Sequence, residues 1–138
     1  MYNLNDMIKI DFFKPKESDR NAKVTVHKTG KLGFSKSAAD ILDLANKRYC
    51  KVGKDANGEG NKVLYMVVQP QKDEYSYKVS KAGDYYYLKA KQLLIDLEID
   101  YKDDDTTVIY DIIALNLEGK EYFKLNKRVI EKRKAKQT

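Results

Sequence analysis

Two nine-residue stretches, KTGKLGFSK from Lys28 to Lys36 and KAGDYYYLK from Lys81 to Lys89, share the pattern Lys-x-Gly-x-apolar-x-aromatic-x-Lys, 53 positions apart. Sliding the sequence by 53 also brings Val26 onto Val79, Asp43 onto Asp96 and Leu44 onto Leu97, and sets Phe34 on Tyr87. Apolar periodicity alone brings hydrophobic residues into coincidence, but it does not place Gly30 and Gly83 with their flanking lysines in one register. The chain is therefore read as a duplication.

Each copy has the same layout. An alternating strand, KVTVHK or YSYKVSK, runs to a glycine that can take positive φ. The next strand carries Leu32 and Phe34 on one face, and the shift of 53 puts Tyr85 and Tyr87 on the matching core face, with Tyr86 outside. An amphipathic helix follows. In the first copy Ser37 caps it with Asp40 in the first turn, and Ala38, Ile41, Leu42 and Ala45 form the apolar stripe; in the second the stripe is Ala90, Leu93, Leu94 and Leu97. Two strands close each copy, RYCKV with KVLYMVV and TTVIYDIIAL with EYFKL.

The expected fold class is α+β, mostly β: a tandem β-β-α-β-β repeat forming a pseudo-two-fold, barrel-like core with two short outer helices. One unit of this size buries too little apolar surface to stand alone, so 22–74 and 75–127 are expected to share one compact domain. Residues 1–21 add an edge strand, MIKIDFF, and residues 128–138 form a basic tail read as a helix that frays into solvent, with only Val129 and Ile130 able to dock it.

At 138 residues, 42% hydrophobic and 35% charged, the composition is that of a folded domain. No apolar run approaches the roughly 20 residues of a membrane-spanning helix. The N-terminus does not read as a secretory signal, and a single cysteine allows no intrachain disulfide, so a cytoplasmic location is expected. The net charge of +6 is uneven: residues 22–74 carry +4, residues 75–127 carry −2, and residues 128–138 carry +4. A polyanion should prefer the first copy and the tail.

The order strand, glycine turn, strand, helix, strand, strand resembles the swapped-hairpin DNA-binding family of AbrB, SpoVT and MazE type, with tandem copies as in MraZ. The residues that carry the likeness are Gly30-Lys31, Leu32-Gly33-Phe34-Ser35-Lys36, the helix SAADILDL, and the strands YCKVGKD and KVLYMVV. The likeness spans about residues 23 to 68 and, less closely, 76 to 125. Lys31 stands where the family has arginine and Ser35 where it has proline, and the second copy has Gly83-Asp84 and Leu88 at those places. The resemblance implies DNA binding in transcriptional control or as an antitoxin, through basic residues near strand ends and turns.

Lys23, Lys28, Lys31, Lys36, Lys47 and Arg48 are the expected phosphate contacts of the first copy, and Arg128, Lys132, Arg133 and Lys134 those of the tail. Tyr86, placed outside, is the candidate for base stacking. The reading is a non-enzymatic nucleic-acid-binding module, with DNA as partner, as a monomeric pseudodimer or a homodimer. Alternatives are a protein-interaction or antitoxin-like module and a single-stranded nucleic-acid binder. No cofactor is expected: Asp55 to Asn61 matches a calcium loop at three ligand positions and its glycine but has Met66 where the bidentate glutamate belongs, and Asp103 to Asp105 reads as a solvated loop. His27 and Cys50, on neighbouring expected strands, could form a nucleophile pair, but a packed imidazole and a small buried thiol are the plainer reading.

Overall fold

Alternation of apolar residues gives the chain its strands, and glycine-containing turns and two short helices join them. A computed structural model describes residues 9–13, 21–58 and 60–131. In chain order the elements are β1 (Lys23–Val26), β2 (Lys31–Phe34), α1 (Lys36–Ile41), β3 (Tyr49–Gly53), β4 (Val63–Gln69), β5 (Tyr77–Lys78), β6 (Ser80–Ala82), β7 (Tyr85–Lys89), α2 (Lys91–Asp96), β8 (Thr106–Leu117) and β9 (Lys120–Glu131).

The strands form one antiparallel sheet in the order β5-β3-β4-β9-β8-β1-β2-β7-β6. Only Val79 separates β5 from β6, so one segment lines both ends of that order. Tyr77 and Lys78 pair with β3, while Ser80 to Ala82 pair with β7. Val79 itself, fully buried, donates its N–H to the Arg48 carbonyl at 2.7 Å. The sheet thereby curls into a nearly closed barrel, mostly β with two short helices. Its core is filled from alternate positions: Val24, Leu32, Phe34, Cys50, Leu64, Met66, Leu88, Tyr110, Phe123 and Leu125 among them.

Both helices are a turn and a half long and end alike. Ser35, not Ser37, caps α1: its Oγ accepts from the Ala38 N–H at 3.1 Å and from the Lys23 N–H at 3.0 Å, tying the helix start to β1. The chain then reverses through Asp43 in the left-handed region (φ 53), with the Leu44 N–H reaching back to the Ala39 carbonyl. In α2 the same geometry occurs at Glu98 (φ 58), with the Ile99 N–H on the Leu94 carbonyl. The early stop changes the expected stripe. Ala38 and Leu42 are buried and Leu44, beyond the reversal, fills the place that a longer helix would have given to Ala45; Ile41 and Ala45 are exposed.

The turns that hold Gly30 and Gly83 differ in length, and this reverses one expectation. Gly30 (φ 83) is the last of three loop residues, with the Gly30 N–H on the His27 carbonyl and the His27 N–H on the Lys31 carbonyl. Gly83 (φ 60) is the first of two, since Ala82 pairs with Tyr85. The strand after Gly83 thus runs one residue out of step with a constant shift of 53, and a one-residue slip exchanges faces. Leu32 opposes Leu88 and Phe34 opposes Tyr86, so Tyr86 packs against the core while Tyr85 and Tyr87 lie on the outer face. That is the opposite of the assignment made from the shift.

Two expectations about the termini also change. Residues 9–13 are irregular and exposed, so the described part of MIKIDFF forms no strand; Met7 and Ile8 lie outside the described residues. Arg128 to Glu131 continue β9, paired with Thr106 to Ile109, so these four are strand and not helix, and Lys132, Arg133 and Lys134 lie outside the described residues. No helix among the described residues is long and apolar enough to cross a membrane.

Candidate functional site

The outer face of β1, β2 and β7 collects the polar and aromatic residues that the core rejects. Register defines it. Lys31 lies directly opposite Lys89, and Gly33 lies opposite Tyr87 on one side and Thr25 on the other. His27 follows β1 and shares a backbone hydrogen bond with Lys31. The β2–β7 seam therefore carries two lysines side by side, then a glycine beside a tyrosine, with a second tyrosine and a histidine bordering them.

The rings form a cluster. Tyr85 and Tyr87 stack with centroids 5.9 Å apart and planes at 21°. His27 meets Tyr85 edge-on, 6.4 Å between centroids, and its Nε2 lies 2.9 Å from the Tyr85 hydroxyl oxygen. The Lys31 ammonium sits 4.6 Å from the Tyr87 centroid. Gly33 makes this possible: a Cβ there would collide with the Tyr85 hydroxyl and the His27 ring, so only glycine lets Tyr85 lie down across β2. Burial under these neighbours, and then the Lys31 charge, hold the His27 pKa below its ordinary 6.5. Burial likewise raises the Tyr85 hydroxyl above its ordinary value.

The expected phosphate contacts do not converge on one surface. Lys23 and Lys31 share the outer face just described, and Lys23 stands opposite Asp111. Arg128 is adjacent but held, its guanidinium donating to both Asp111 carboxylate oxygens at 2.7 and 3.0 Å. Lys28, in the first turn, forms an ion pair with Asp104. Arg48 works structurally, donating to the Val79 carbonyl through Nε at 3.2 Å and Nη2 at 2.9 Å, and so pins the segment that joins the two ends of the sheet. Lys36 opens α1 and lines a groove with Phe34, Asp40, Asp84, Tyr85 and Tyr86. Lys47 follows the α1 reversal, its N–H on the Asp43 carbonyl. Tyr86, expected outside, is half-buried between Arg48 and Lys81, each 5.5 Å from its ring centroid.

Tyr85, Tyr87 and Lys89 are the outer-face residues that the constant shift concealed, and Gly33, already placed outside, was not read as their floor. The signal for them was present: Gly83-Asp84 is a two-residue turn signature, and counting the strand from Tyr85 exposes Tyr85, Tyr87 and Lys89 together. Cys50 and His27 are not brought together, because Cys50 points from β3 into the core, where burial pushes its thiol up to about 12, while His27 is on the outer face. Asn61, at the end of the calcium-like loop, is structural: its side chain accepts from Lys127 Nζ and donates to the Leu97 carbonyl, each at 2.8 Å, and its carbonyl accepts from the Tyr110 hydroxyl at 2.6 Å. Among the described residues no group of three or more His, Cys, Asp or Glu side chains could hold a metal ion. No family model, curated protein or solved structure matches the chain.

Proposed function

We propose that this chain is a non-catalytic nucleic-acid-binding module whose contact surface is the outer face of β1, β2 and β7. The observation that carries the reading is Lys31 directly opposite Lys89. Like charges at opposed positions of an antiparallel pair destabilise the sheet, and a polyphosphate backbone laid along the seam would turn that repulsion into attraction.

The swapped-hairpin reading is part of the proposal and is supported by the sheet order. Around the barrel the hairpins alternate, β3–β4 and β1–β2 from the first half with β9–β8 and β7–β6 from the second. Matching positions recur with a drifting offset: Lys31 with Tyr85 at 54, then Ser35 with Ala90, Asp43 with Glu98 and Leu44 with Ile99 at 55. The two halves are read as copies whose turns have diverged in length. By the family resemblance the polymer is DNA and the role regulatory. Because Lys31 and Lys89 come from different halves, both copies contribute to binding, in contrast to the preference for the first copy drawn from net charge.

The test is fluorescence anisotropy with labelled DNA across a range of salt. Replacing Lys31 and Lys89 together by glutamine should weaken binding and reduce the slope of log K against log salt by about 2 on a duplex, the loss of two phosphate contacts. An unchanged slope would move the contact surface elsewhere. A protein-interaction role is favoured by one other feature, the β8–β9 hairpin. It extends past its neighbours with Ile113 and Leu117 each 50% exposed, and this role takes precedence if no nucleic acid binds at low salt.

A further inference from the structure

Resting on the nucleic-acid reading, we infer that the cluster of His27, Tyr85 and Tyr87 over Gly33 is a subsite for one unpaired nucleotide, whose base stacks on Tyr87 while its phosphates meet Lys31 and Lys89. A duplex offers phosphates to a surface but keeps the faces of its bases inside the helix, so it makes no use of exposed rings. This surface goes beyond charge. Two tyrosines are stacked on it, Tyr85 41% exposed and Tyr87 half-buried, and the glycine floor lets the Tyr85 and His27 rings lie close to the backbone. The register sets Lys31 and Lys89 on the side of Tyr87 away from Tyr85, and the Lys31 ammonium lies against that tyrosine ring at 4.6 Å. That position is where a base would stack. The Lys31 ammonium it would displace, with Lys89 opposite on β7, would then be free for that nucleotide's phosphate. The recognised chemistry is an aromatic heterocycle carrying a phosphodiester, which single-stranded DNA and single-stranded RNA both supply.

The experiment uses the full chain with labelled single-stranded DNA, single-stranded RNA and duplex DNA of equal length, and with inorganic tripolyphosphate. The imidazole signals of His27, the chain's one histidine, are followed by NMR alongside anisotropy. Single strands should bind more tightly than the duplex, and Tyr87→Ala should weaken them about tenfold or more, the loss of one stacking ring, with Tyr87→Phe close to the parent. Gly33→Ala, which lifts Tyr85 without removing it, should weaken single strands several-fold. Single strands should shift the His27 signals by ring current, and tripolyphosphate should bind with no dependence on Tyr87. Whichever of DNA or RNA binds more tightly identifies the polymer.

If Tyr87→Ala and Gly33→Ala leave single-strand affinity within twofold while the lysine substitutions still weaken it, the nucleotide subsite is overturned and the nucleic-acid reading stands. If neither single strands nor duplex bind at low salt, both fall. Should Tyr87→Ala fail to fold, Gly33→Ala read against Tyr87→Phe decides the same question.

Discussion

Gly33 shows how one residue without a side chain organises several that have them. Its vacancy on the outer face of β2 is filled by the Tyr85 ring, and the Tyr85 hydroxyl in turn reaches the His27 imidazole. His27 is consequently crowded and faces Lys31, with Lys28 following it in the turn. Asp100 and Tyr101 from the loop after α2 line the hollow on its other side. A histidine whose native pKa lies below its unfolded value binds its proton more readily in the unfolded chain. Stability from this group is therefore complete above about pH 6.5 and is lost as the pH falls from there towards the lowered native pKa. We predict that acidification from pH 7.5 to pH 5.5 lowers the urea midpoint of the parent more than that of His27→Gln. Equal drops in the two proteins would show that His27 titrates as an ordinary surface imidazole. Binding of a polyanion at the seam works in the opposite direction, favouring the charged imidazole.

At the level of elements, backbone strain is visible at both helix ends and at Glu118 (φ 52) in the β8–β9 turn. Asp43 and Glu98 both occupy the left-handed region that suits glycine, so that Leu44 and Ile99 can turn into the core. Asp43 gains a local hydrogen bond, its carboxylate accepting from the Asn46 side chain at 2.9 Å. No such bond involving the Glu98 side chain is found among the described residues. Glu98→Gly should therefore stabilise the protein by up to about 1 kcal/mol, the usual cost of a side chain in this region less the added freedom of glycine when unfolded. A thermal melt shifted downward would show that Glu98 has a stabilising role of its own. The mostly β character, the two short helices and most of the strands were legible in the sequence because alternation and helical spacing report burial directly, whereas the edge strand expected of MIKIDFF and the helix expected of the tail were misread over their described residues. Register was not legible, because Gly30 and Gly83 look equivalent but occupy the last and the first places of turns of different length. That single residue carried Tyr85 and Tyr87 into the expected core and Tyr86 out of it. Lys89 was missed as a partner of Lys31 for a different reason: no local pattern says which hairpins become neighbours.

For the whole molecule, the order of hairpins means that neither half has a core of its own. β1 pairs beyond its hairpin with β8, β2 with β7, β3 with β5 and β4 with β9, so every strand of residues 22–74 depends on a strand of the second half. Separate fragments 1–74 and 75–138, divided in the exposed loop between β4 and β5, should each lack a cooperative unfolding transition as monomers, and mixing them should restore one. A monomeric 1–74 fragment that melts cooperatively would contradict the dependence of one half on the other. The same interleaving governs how the chain can be made. As it leaves the ribosome, β1–β2 and β3–β4 emerge as two hairpins that are not neighbours in the finished sheet, each with both outer edges unsatisfied. Their partners emerge later, and β9, the last of the described strands, runs to Glu131. Completion of the sheet therefore waits for β9, and until it emerges the nascent chain carries open strand edges, the feature that chaperones shield and that aggregation exploits.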